Sequence, residues 1–272
     1  MVRYAQKIWT LADGSRVYLP GSAIFDMPVM PNELDIFDVD TVQQYPVSTK
    51  LELDDSIYRY VEFGEATAAG DMVNSEGPDN THDNLTPGTD GSVNGVAASL
   101  AIGSTVINIS DTITLVENEY AGGSLMMETS TGAGYRYKIE SHNAPASDAL
   151  VVIKHGLAVA IGATNELKLV KNPWKEVVQG NVSLAGPAVG ASLGVGVDGS
   201  FGWVQTRGPA AVLTDGTVVV GQEVVSSDGT AGAVEAMKVA EAAPPTFITP
   251  AVGFVMDVGA TGEFSLIYLQ IE

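Results

Sequence analysis

Cysteine is absent from this sequence, and that one absence removes disulfides, thiolate nucleophiles, zinc-thiolate sites and iron-sulfur clusters together. Basic residues are scarce: 13 Lys and Arg stand against 33 Asp and Glu, a formal net charge of -20. Such a surface repels a phosphate backbone, so nucleic acid is not an expected partner. Histidine occurs only as His82, His142 and His155, without an H-E-x-x-H pair or similar ligand spacing. Long apolar runs are missing too. The greasiest stretch, 95–109, is broken by Ser, Thr, Asn and Gly, short of the roughly 18 apolar residues a spanning helix needs. The opening MVRYAQKIW has no apolar signal-peptide core. The expectation is a soluble chain made in a cytoplasm, with no membrane partner.

What is present points to a folded β-protein. Of 272 residues, 45% are hydrophobic and only 17% charged, too apolar for a disordered acidic chain. The 30 Gly and 13 Pro residues are spread along the whole chain and leave little room for an uninterrupted amphipathic helix. Asp-Gly recurs at residues 13–14, 90–91, 198–199, 215–216 and 228–229, and Asn-Gly at 94–95, all suited to tight hairpin turns. Between them lie short runs of Val, Ile, Thr and Tyr. Strands are expected over 56–63, two within 105–116, and over 125–128, 134–140, 150–154, 166–170, 201–206, 217–220, 223–226 and 263–271. Strands this short, without helices between them, argue for an all-β fold of sandwich or barrel units.

Three segments follow from composition. Residues 1–50 carry Pro20, Pro28, Pro31 and Pro46 with little alternation and read as an extended N-terminal arm, with room for a short helix over 38–45. Residues 51–180 read as a central β-domain, and 181–272 as a smaller barrel-like domain. The polar passage 74–95 is expected on the surface. Residues 60–73 and 209–225 echo each other: an apolar strand, a glycine corner at Gly70 or Gly221, then an apolar restart.

No pattern carries catalysis, so an enzyme is not expected and no catalytic residue, metal or cofactor is assigned. His82 lies beside Asp79, Asp83 and Asn84, where a weak cation site and a solvated loop histidine are the two readings. Residues 194–199 (GVGVDG) match the letters of a dinucleotide fingerprint, but SFGWVQ follows and reads as a strand, not the helix that holds a pyrophosphate. Arg59, Arg136, Lys138 and Lys154 fall within expected strands, the first three beside tyrosines. The segment between Val61 and Tyr135 has no Lys or Arg and forms an acidic surface, suited to solubility or a basic partner.

Three stretches resemble the head decoration proteins, also called cement or auxiliary capsid proteins, of tailed bacteriophages. They are 45–73 (YPVSTKLELDDSIYRYVEFGEATAAGDMV), 120–142 (YAGGSLMMETSTGAGYRYKIESH) and 199–234, which contains the Gly-Trp-Val-Gln strand at 202–205. Together they span about a third of the chain. The resemblance implies a virion protein, synthesised in the host cytoplasm, that binds the outside of an icosahedral head. Its partners would be the major capsid protein and itself, as a homotrimer, holding the shell against internal DNA pressure. A tail or fibre component and a carbohydrate-active virion enzyme are the alternatives. Within the arm, Ile24, Phe25, Met27, Val29, Met30 and Phe37 have no evident place in a local core and are the expected capsid or subunit contacts.

Overall fold

The computed structural model describes residues 8–11, 14–19, 35–78, 82–88, 91–93, 96–110, 114–144, 148–180, 186–237, 250–260 and 262–272. The chain divides into two compact units, with residues 78–172 inserted between 1–77 and 173–272. The first unit opens with β1 (Ile8–Thr10), β2 (Arg16–Tyr18), β3 (Lys50–Leu53), β4 (Ser56–Glu62) and β5 (Met72–Asn74). The inserted unit contributes β6 (Gly91–Val93), β7 (Val96–Ala98), β8 (Val106–Ile109), β9 (Ser124–Met127), β10 (Arg136–His142), β11 (Ala149–Ile153) and β12 (Leu167–Val170). The chain then returns through β13 (Val178–Gln179), β14 (Ala188–Ser192), β15 (Phe201–Leu213), β16 (Glu223–Ser226), β17 (Val234–Ala236), β18 (Gly253–Asp257) and β19 (Phe264–Gln270). The protein is all-β: the described residues include no α-helix, and their strand ladders are antiparallel.

These boundaries differ from the expected 1–50, 51–180 and 181–272, and backbone pairing is the reason. Strand β4 pairs with the first half of β15, Trp203 opposite Tyr60 and Val204 opposite Arg59, so residues expected in separate domains share one sheet. Strands β13 and β14 both pair with β5. The leading segment also differs from a free arm where it is described. Strands β1 and β2 form a hairpin that continues onto β3, and Val17, Leu19 and Tyr45 are buried with Leu51, Tyr58, Tyr60 and Trp203. No helix forms over 38–45. Asp40 instead exchanges two backbone hydrogen bonds of 2.8 Å with Phe201.

Strand β15 spans thirteen residues because it changes partner midway: residues 201–207 pair with β4 and residues 207–213 with β19. Gly208 sits at the change with φ +93°, and a Cβ there would stand 2.9 Å from the Asp55 carbonyl oxygen. Only glycine passes so close to that backbone. The two corner glycines of the internal echo, Gly70 and Gly221, have matching φ values of 84° and 83°. The glycine-rich run at 194–199 leads directly into β15, as its strand reading requires. Its backbone is tied to Thr67, whose amide donates to the Gly196 carbonyl at 3.1 Å while the Gly196 amide donates to Thr67 Oγ1 at 3.2 Å.

In the inserted unit the five-stranded sheet runs β12-β9-β10-β11-β8. Alternation aims Leu125, Met127, Tyr137, Ile139, Leu167 and Leu169 into one core with Ile107, Ile109 and Ile153. The polar passage before it does not lie wholly on the surface. Leu85 is buried and bridges to Leu167, and Pro87 bridges to Ile109. Two expected strands do not appear among the described residues. Residues 114–116 are irregular, with Leu115 in the core, and 217–220 are closed off by a turn in which the Gln222 amide donates to the Val219 carbonyl.

Candidate interaction surfaces

Of the expected contact residues, Ile24, Phe25, Met27, Val29 and Met30 lie outside the described residues. Phe37 is described and is 63% exposed. Its amide donates to Asp35 Oδ1 at 2.9 Å. Its backbone lies against Gly194, where a Cβ would come within 2.9 Å of the Phe37 carbonyl oxygen. Val195 and Val197, just beyond that glycine, and Val42 are also exposed. Phe37 is therefore an exposed apolar side chain whose backbone lies against the glycine preceding exposed Val195.

A second apolar surface was not anticipated from sequence. Along β19, Ser265, Ile267 and Leu269 are buried while Phe264 and Leu266 point the other way and are exposed. Register extends this outer face across three strands: Leu213 opposite Phe264, Ala211 opposite Leu266, and Pro209 opposite Tyr268, which itself faces Phe254. The rings of Phe254 and Tyr268 stack 5.2 Å apart, and Met256 in β18 and Val258 just past it are exposed. A strand apolar on both faces is the pattern of one covered on both. The available signal was the apolar run 266–269 (LIYL), where a sheet with one wet face alternates. Acids rim this face: Glu223 pairs opposite Phe254, Asp257 opposite Leu266, and Glu263 precedes Phe264. Arg207 lies at its far end, opposite Gln270.

The third surface is cationic. Register places Lys168 opposite Met126 and Met126 opposite Arg136 on the outer face of the five-stranded sheet. Lys138 follows two residues along β10 on the same face, and the Lys154 amide donates to its carbonyl at 2.9 Å. Burial lowers the Lys138 pKa, and the nearby charges of Arg136 and Lys154 lower it further. Its ammonium donates to the Gly122 carbonyl. Lys168 pairs with Asp83 at 2.9 Å, and Glu140 is the one acid farther along this face of β10. Arg136 is exposed with no ion-pair partner among the described residues.

Arg59, the remaining strand cation singled out in the sequence, is structural. Its guanidinium grips Glu272 with two hydrogen bonds, Nη2 to Oε1 at 2.5 Å and Nε to Oε2 at 2.9 Å, and lies 5.4 Å from the Trp174 ring centroid. Burial pushes the Glu272 carboxyl up, but the Arg59 hydrogen bonds and charge outweigh it and hold the pKa below the usual carboxylate range. A depressed folded-state pKa contributes stability that is complete above the ordinary carboxylate value and lost as pH falls through the lowered one. Glu272→Gln should therefore weaken the first unit at neutral pH and match the wild type in strong acid. Urea midpoints across pH check this; a deficit independent of pH would contradict it.

His82 is not a solvated loop residue, and Asp79, named with it above, lies outside the described residues. His82 is buried, with Nδ1 2.6 Å from the Tyr120 hydroxyl. His142, also buried, accepts a 2.8 Å hydrogen bond from the Tyr120 amide at Nε2. That backbone donor fixes Nε2 as unprotonated, so Nδ1 carries the proton and donates to the Asn143 carbonyl at 2.8 Å. Among the described residues no group of three or more His, Asp or Glu side chains is arranged to hold a metal ion. No family model, curated protein or solved structure matches the chain.

Proposed function

We propose that this chain is a structural virion protein that binds the outside of a tailed-phage capsid and stabilises it, as a decoration protein. The observation that carries the reading is Phe37: a large apolar side chain left open to water beside exposed Val195, in a chain of net charge -20. A contiguous exposed apolar patch marks a protein contact, and Phe37 with Val195 is proposed as the start of one that residues 24–30 extend. The patch lies directly after the proline-punctuated segment whose Ile24, Phe25, Met27, Val29 and Met30 are the other proposed contacts. A backbone restricted by proline loses little entropy on docking. The acidic surface suits a basic outer shell and avoids DNA during assembly.

The buried Val17, Leu19 and Tyr45 dictate how this is tested, because deleting the whole leading segment would unfold the first unit. Residues 20–34 are replaced by a Gly/Ser linker of equal length, and Phe37 by serine, and each variant is co-sedimented with heads lacking the protein. Retention is expected to fall about tenfold or more with tryptophan fluorescence unchanged. Undiminished binding by both variants would contradict the assignment of this contact.

A further inference from the structure

Two of the surfaces described above are complementary to each other, in chemistry and in charge. The face of β15, β19 and β18 has an apolar centre at Leu266, Met256 and Tyr268, with Glu223, Asp257 and Glu263 around it. The face of β12, β9 and β10 has an exposed methionine, Met126, between Lys168 and Arg136, with Lys138 and Lys154 beside them. The charge distribution deepens the contrast. Of the 33 acids and 13 bases, 10 and 5 fall in residues 78–172, leaving 23 and 8 to the other unit. Four of the inserted unit's five cations are thus gathered on one sheet face, in a protein whose other unit is strongly acidic.

We infer that the cationic Met126 face of one copy docks on the acid-rimmed Leu266 face of a second copy, joining chains head to tail. The occupant is a second copy because the matching surface is carried by the same chain and so is present at equal concentration. Arg136 and Lys138 lie two residues apart on this face of β10 and repel each other, and an opposing row of carboxylates relieves that repulsion. Met126 and Leu266 supply the dehydrated centre, the charges the register and the specificity. The two faces differ, so the contact is heterologous. Each copy keeps one face of each kind unused until a ring closes.

The contact is a property of the purified chain, so it stands or falls independently of head binding. Arg136→Glu and Glu223→Lys alter exposed side chains outside both cores and spare the fold. Sedimentation equilibrium of the full chain is run at about 50 mM and about 500 mM salt, conditions that differ strongly in charge screening. The wild type is expected to form a closed oligomer at low salt and to dissociate toward monomer at high salt. Each charge reversal is expected to weaken association about tenfold or more, and an equimolar mixture of the two variants to regain it, since each then supplies the face the other has lost. A wild type that stays monomeric at low salt overturns the inference. So does an oligomer that neither reversal weakens, or a mixture that remains dissociated.

Discussion

Tyr60→Ala is expected to cost the first unit about 4 kcal/mol, within the range for deleting a large buried aromatic side chain. Tyr60 is 2% exposed and sits at the centre of an aromatic cluster. Tyr45 and Trp203 each meet its ring edge-on at 5.2 Å, and Phe201 stacks at 6.3 Å. Its hydroxyl accepts the Gln44 amide at 3.0 Å, and burial pushes the phenol pKa up to about 12, so the group stays neutral at any ordinary pH. Truncation loses three ring contacts, leaves a cavity and strips Gln44 of its acceptor. Tyr60→Phe keeps the ring and should cost only about 1 kcal/mol. The readout is built in, because Trp9, Trp174 and Trp203 all lie in the first unit. Urea unfolding followed by tryptophan fluorescence should shift strongly for Tyr60→Ala and weakly for Tyr60→Phe; equal shifts would place the energy in the hydroxyl instead.

The second large effect is expected at His142→Ala in the inserted unit, about 3 kcal/mol. Part is the volume lost from a buried site, and part is the Tyr120 amide, which would be left without its ring-nitrogen acceptor. His142 also donates from its own amide to Asn118 Oδ1 at 3.0 Å, a contact the alanine retains. The variant therefore isolates the imidazole. Because the inserted unit has no tryptophan and its own core, the loss should appear in amide hydrogen exchange of β8 to β11, with the tryptophan transition unmoved. A shift of both would mean that the two units unfold as one.

Much of this fold was legible in the sequence, and the exceptions have physical causes. Alternation located β4, β9, β12, β16 and β19 to within about two residues. The second half of β15 was read only as the apolar start of the 209–225 echo, and its continuity with 201–206 rests on a change of pairing partner at Gly208 that only the tertiary structure reveals. Strand β5 is buried on both faces and only three residues long, so it carries no alternation to detect. Val218 to Val220 show the opposite error. β-branched residues suggested a strand, yet turns on either side leave them without a partner, Val218 in the core and its two successors in water.

The surfaces were legible in part for related reasons. Phe37 could be singled out because its neighbours lacked periodicity. Arg136, Lys138 and Lys154 could be noticed individually, but their convergence with Lys168 depends on the register among β10, β11, β9 and β12, which residue spacing does not encode. His82 was misjudged because the surrounding Asp and Asn residues suggest solvent, whereas the chain packs through Leu85 and Pro87 and carries the imidazole to Tyr120.

The proposal that this chain joins the outside of a capsid shell is tested most directly by electron cryomicroscopy of heads assembled with and without it. The expected result is added density in a regular lattice on the outer surface, contacting the shell through the Phe37 side of the first unit. Heads identical in both preparations, with the protein recovered free in solution, would contradict it.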